Sequence, residues 1–273
     1  MKLGLGLGIN KGGYVETAPP YFAMTIDTTR SGVSNNNQFQ FTGAVGQYDV
    51  DAVQNDVIVQ SYTGLVGQKT ITLPSAGIYQ VRVKPMVTNP FNRVIYKGTS
   101  DRRKILSIDS FGTDVNWSSF KDSFASTVNS TDIKDVIHNG QNVTNFNLSF
   151  ENIAISSLPK GFLDSCVNAT KFNFAFQFNY NLHELPEGLF NKCKDANNFV
   201  NCFRGTTLTT ETLSRLYIEL SITNTKNNVS FNGGDGFYDP NFSFTVNGVT
   251  KTTGQARQDL VNRGWTLTDA GSI

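Results

Sequence analysis

The sequence predicts a multidomain chain: an all-β sandwich followed by an α/β solenoid with repeats of 26–27 residues. Three observations carry this prediction. Short alternating apolar and polar runs, divided by Gly, Ser, Pro and Asn, fill residues 21–99. Between about 115 and 205, Phe pairs spaced i, i+4 recur at a nearly constant interval. The composition is poor in charge, with 16% Asp, Glu, Lys and Arg against roughly 25% in ordinary soluble domains. Its polarity comes from Asn, Thr, Ser and Gly, and Asn alone numbers 29. Such a composition suits turn-dense architecture better than helical bundles.

The chain opens "MKLGLGLGIN". Leu3, Leu5, Leu7 and Ile9 alternate, which places them on one face of an extended strand. Gly4, Gly6 and Gly8 let another backbone approach the opposite face closely. The run is too short to span a bilayer, lacks a small-residue cleavage site and lacks dinucleotide-loop spacing. Residues 1–20 are therefore expected to form an extended docking arm. Residues 21–99 contain "FAMTIDTT", "NQFQFTG", "QYDVDAV", "DVIVQSY", "KTITLP" and "IYQVRVKP", and this spacing of short runs predicts a β-sandwich.

Residues 100–223 hold the repeat. The Phe pairs are Phe120 and Phe124, Phe146 and Phe150, Phe172 and Phe176, and Phe199 and Phe203, at successive intervals of 26, 26 and 27 residues. Leu158-Pro159, Gly161 and Cys166 recur 27 residues later as Leu185-Pro186, Gly188 and Cys193. A period in the twenties marks a leucine-rich-repeat-like solenoid, in which stacking of units supplies the core. Each Phe pair is expected on one face of a short helical turn, and each Leu-Pro at the end of a short strand. The Phe stripes could serve as sugar-stacking platforms, but regular spacing on one face favours core. Cys166 and Cys193 are expected as small buried core residues, with a bond between them left open. Residues 224–273 are expected to cap the array. There Ala256, Leu260 and Val261 suit a short amphipathic helix, Gly264 a C-terminal cap, and "VNGV" a two-residue hairpin turn.

The repeat "LPEGLFNKCKDANNFVNCF" resembles the BspA-like leucine-rich-repeat family, over residues from about 102 to the end. The phrase "TLPSAGIYQVRV" resembles the end of PKD-like immunoglobulin-type domains, although the Asp-Trp-Gly-Asp-Gly stretch common there is absent. The resemblance implies an immunoglobulin-like domain ahead of adhesion-type repeats. It also implies a role in surface adhesion rather than catalysis.

The chemistry visible in the sequence points the same way. No G-x-S-x-G, H-E-x-x-H or Walker pattern is present. Three cysteines make an odd number with no metal-type spacing, and two histidines, His138 and His183, are too few for a zinc site. Asp235 and Asp239 match no calcium loop and read as turn residues. The net charge of +1 offers no footprint for nucleic acid or anionic membrane. No enzyme activity, cofactor or metal is expected. With adhesion-type repeats but no export signal, the expectation is a phage virion structural protein, a head or tail fibre or decoration. It would be made in the host cytoplasm and held in several copies by capsid, portal or tail proteins. Its partner on the host would be a surface glycan or protein. The alternative is a bacterial cell-surface adhesin.

Overall fold

The computed structural model describes residues 17–98 and 100–273. The expected docking residues Leu3–Ile9 lie outside the described residues. Alternation in the first third of the chain produces six strands: β1 (Phe22–Asp27), β2 (Gln38–Phe41), β3 (Gln47–Gln54), β4 (Val57–Val66), β5 (Lys69–Thr72) and β6 (Ile78–Pro85). Two more follow, β7 (Ile105–Phe111) and β8 (Asp132–Ile133). The main sheet has the order β4-β3-β6-β1-β7-β8, and β2 pairs with β5 in a second small sheet. Alternate residues face inward, so Phe22, Met24 and Ile26 of β1 and Tyr79, Val81 and Val83 of β6 are buried. Phe41 of the small sheet meets Tyr48 of the large one edge to face at 5.6 Å. This two-sheet arrangement is compatible with a β-sandwich. The boundary drawn at 99/100 does not interrupt it, because β7 pairs antiparallel with β1.

A buried ion pair fixes the loop between β1 and β2. Asp101 and Lys104 have fully buried side chains, with Nζ 3.9 Å from the carboxylate. The Lys104 ammonium donates to the carbonyls of Ser34, Asn35 and Gln38 and to the Ser34 hydroxyl, at 2.8–3.1 Å. The Asp101 carboxylate accepts from the backbone N–H groups of Val33, Ser34 and Gln40 at 2.8–3.1 Å, and from the Ser34 hydroxyl. Both charges are thus paired and hydrogen-bonded, as burial demands.

The α/β leucine-rich-repeat-like solenoid does not form, and the resemblance to the BspA-like family falls with it. Among the described residues the two α-helices are α1 (Thr210–Thr223) and α2 (Thr253–Asn262), both beyond the last Phe pair. Between β8 and α1 the chain makes turns joined by isolated bridges. The reason lies in the backbone between the phenylalanines. Phe120–Ser123, Phe146–Ser149, Phe172–Ala175 and Phe199–Cys202 are each closed by an N–H bond from the fourth residue to the first. Their third residues, Asp122, Leu148, Phe174 and Asn201, have φ of 53–62°. That is a type II turn, which no helix accommodates. The next third positions, Ser126, Asn152, Phe178 and Gly205, also have positive φ. Two consecutive turns reproduce the i, i+4 spacing of a helical face. Leu158-Pro159 ends no strand either; Pro159 opens a turn whose carbonyl accepts from Phe162, with Gly161 at φ 77°.

The turns stack in register. N–H groups of Phe146, Leu148, Phe150 and Asn152 donate to the carbonyls of Lys171, Asn173, Ala175 and Gln177, and the same pattern repeats one layer on. Phe120, Phe146, Phe172 and Phe199 form one aromatic column, with centroids 5.1–5.3 Å apart and planes within 8°. Phe124, Phe150, Phe176 and Phe203 form a second at 5.5–5.8 Å. All eight are fully buried. Asn179, also buried, ties two layers: its amide donates to the carbonyls of Phe150 and Phe176 and accepts from the Ile153 N–H. Gly205→Ala should cost about 1–3 kcal/mol in a urea melt. An L-residue at its φ of 73° is strained, and a Cβ would sit 2.6 Å from the Phe178 ring.

The last layers close the stack. Thr209 caps α1 through the Thr212 N–H, and Thr252 with Gln255 forms a capping box on α2. β9 (Ser230–Asn232) continues the Phe199 layer, and β12 (Thr266–Thr268) pairs parallel with it. The hairpin of β10 (Ser243–Val246) and β11 (Val249–Thr252) turns at Asn247-Gly248, both at positive φ. One aromatic-rich core runs without a break from Phe22 to Trp265.

Candidate binding cleft

The segment "KFNFAFQFNYN" spends its phenylalanines in two ways. Phe172 and Phe176 enter the columns. Phe174 and Phe178 occupy the third positions of their turns, at φ 57° and 58°, and are only half-buried. A bulky residue at positive φ is a strained choice, and here the turn stack imposes that φ at the equivalent position of every layer. Phe178 stacks on Tyr180 at 6.1 Å and 23°, with the Arg204 guanidinium 5.8 Å from the Phe178 ring centre. Tyr180 is 64% exposed.

These two rings form one wall of an open cleft of about 180 Å³, floored by Val128, Ile153 and Ala154. Asn152 and Asn181 supply its polar edge. Their side-chain amides make no hydrogen bond among the described residues. The lining is therefore aromatic and aliphatic with two free amides and no charge. Sequence reasoning placed no site here. The available signal was the pair of aromatic residues, Phe178 and Tyr180, that fall outside the i, i+4 phase.

Groups with familiar catalytic chemistry are engaged elsewhere. Ser110, Asp135 and His138 lie together, but the Ser110 hydroxyl donates to Asp135 at 2.8 Å, and His138 Nε2 meets that same carboxylate at 3.0 Å. A nucleophile must bond its base; here the carboxylate stands between the two. Burial works to raise the Asp135 pKa, but the His138 and Ser110 hydrogen bonds outweigh it and hold the carboxyl below its usual value. A depressed folded value contributes stability above the ordinary carboxylate range, lost as pH falls through that folded value. Asp135→Asn should therefore flatten the loss of stability as pH falls through and below the ordinary carboxylate range in urea melts, while lowering stability at neutral pH.

Cys166, Cys193 and Cys202 are free and buried. Burial pushes the Cys166 thiol up to about 12 and the other two higher still. Cys166 and Cys193 occupy successive layers, the Cys193 Sγ donating to the Cys166 carbonyl at 3.4 Å. His183 Nδ1 lies 2.9 Å from the Thr207 carbonyl. The Asp235 N–H donates to Thr206, and the Asp239 carboxylate caps the Asn241 N–H within its own turn. Among the described residues no group of three His, Cys, Asp or Glu side chains is placed to hold a metal. No helix there is long and apolar enough to cross a membrane.

Comparison with protein-family models, with curated proteins and with solved structures gives no match to this chain.

Proposed function

We propose that the chain is a non-enzymatic structural protein of a phage particle. In this reading it is held in several copies through the Leu3–Ile9 arm and displays a neutral polar surface, with cell-surface glycan as the ligand class. The continuous core from Phe22 to Trp265 supports this most directly. It joins sheet and turn stack into one body, in which the cysteines are packed and the Ser110–Asp135–His138 cluster is internally hydrogen-bonded. Asn and Thr are the commonest residues at the exposed described positions, groups that recognise hydroxyl-rich ligands by hydrogen bonding.

Deletion of residues 1–12 should abolish incorporation into particles while residues 13–273 stay soluble and folded. The check is mass spectrometry of purified particles alongside circular dichroism of the fragment. Retained incorporation would overturn the role of the arm, and absence of the full-length chain from particles would overturn the virion reading.

A further inference from the structure

We propose that the cleft beside Phe178 and Tyr180 binds one ring of a neutral saccharide. The inference refines the glycan reading above by giving it an address, but it does not need the particle. A sugar ring presents a face of C–H groups and a rim of hydroxyls. The cleft offers the matching pair: an aromatic wall and two amides with free donors and acceptors. Its volume of about 180 Å³ is well below the roughly 300–1,000 Å³ of pockets that enclose a drug-sized ligand. One ring fits and the rest of a chain remains outside, as at a terminal or branching residue of a surface polysaccharide.

Three further observations favour this occupant over a peptide or a second copy of the chain. The side chains that line the cleft are uncharged, and the neighbouring Arg204 guanidinium is held over the Phe178 ring, 5.8 Å from its centre. The cleft is small, about 180 Å³, whereas a protein interface needs roughly 800 Å² per partner. The wall is already in place: Phe178 is wedged over Gly205, whose lack of a Cβ leaves room for the ring. Tyr180 has two side-chain torsions to fix, so little conformational entropy opposes binding.

The test uses the full chain and saturation-transfer NMR with the methyl glycosides of glucose, galactose, mannose and N-acetylglucosamine as probes. Transfer to the ring C–H protons of at least one probe is expected. Tyr180→Ala should weaken that binding roughly tenfold or more, and Asn181→Ala should weaken it less. Both residues are exposed, and matched thermal melts would separate lost contact from lost fold. Transfer to none of the probes, equal transfer with Tyr180→Ala, or a response only to sulfated sugars would each overturn the proposal. A positive result with a chain that fails to enter particles would leave this site standing and remove the virion reading; the converse result would do the reverse.

Discussion

Lys104→Met should lower the stability of the chain by about 3–5 kcal/mol, the range seen when one partner of a buried ion pair is removed. Methionine fills much the same volume, so the loss is electrostatic. The ammonium sits among four oxygens of Ser34, Asn35 and Gln38, with Asp101 3.9 Å away. Burial draws the Lys104 pKa down, against the pull of Asp101. Without the charge, three carbonyls lose their donor and a fully buried carboxylate loses its cation. The loop would then be expected to open toward water and expose Phe39 and Phe41. Adding Asp101→Asn should restore only part of the loss, since the carboxylate also holds three backbone N–H groups. Urea melts of wild type, single and double variants measure these differences. A loss under about 1 kcal/mol for Lys104→Met would mean that the pair behaves like an exposed one.

Phe172→Ala should cost about 3–5 kcal/mol, as large-to-small changes in a packed core do. Phe172 lies between Phe146 at 5.1 Å and Phe199 at 5.3 Å, and Phe190 meets it edge-on at 5.0 Å. A void there has packed rings on three sides, and the hydrogen-bonded layers above and below resist collapse into it. Phe172→Leu should cost less, because part of the volume remains. A double-mutant cycle with Phe146 should return a coupling of about 0.5–1.5 kcal/mol, the share of ring–ring contact beyond simple burial. Near-additive losses would assign the columns to burial alone.

The two sites differ in how far the sequence discloses them. The interval of the phenylalanines is visible by counting, because neighbouring layers are one period apart. Their conformation is not, since a pair of type II turns and a helical face place side chains at the same i, i+4 spacing. Asn201 and Gly205 carry the ordinary signature of positive φ, but Leu148, Phe174 and Phe178 occupy equivalent positions against their own preference. There the backbone ladder of the layers on either side overrides local propensity. The Lys104–Asp101 clasp is invisible for another reason: it joins residues 61–70 positions apart, and no local pattern announces a cation for a distant loop. The cleft was half legible. Phe178 and Tyr180 stand out as aromatics out of phase, whereas Val128 and Asn152 reach them only through the stacking of layers.

The register of the turn stack carries a consequence for how such a chain can change over time. Each layer bonds only to the one before and the one after, through the same four backbone positions. Layers joined this way sit about 4.7–4.9 Å apart. A duplication or loss of one inner 26- or 27-residue unit would rejoin the layers through the same backbone ladder and the same two aromatic columns at each new junction. Length is therefore heritable in whole steps. Gene rearrangement could move the two ends apart or together by one layer at a time, whereas a residue gained between the two phenylalanines of one layer would break the i, i+4 spacing that seats both rings; the extra residue of the 27-residue interval lies outside that spacing.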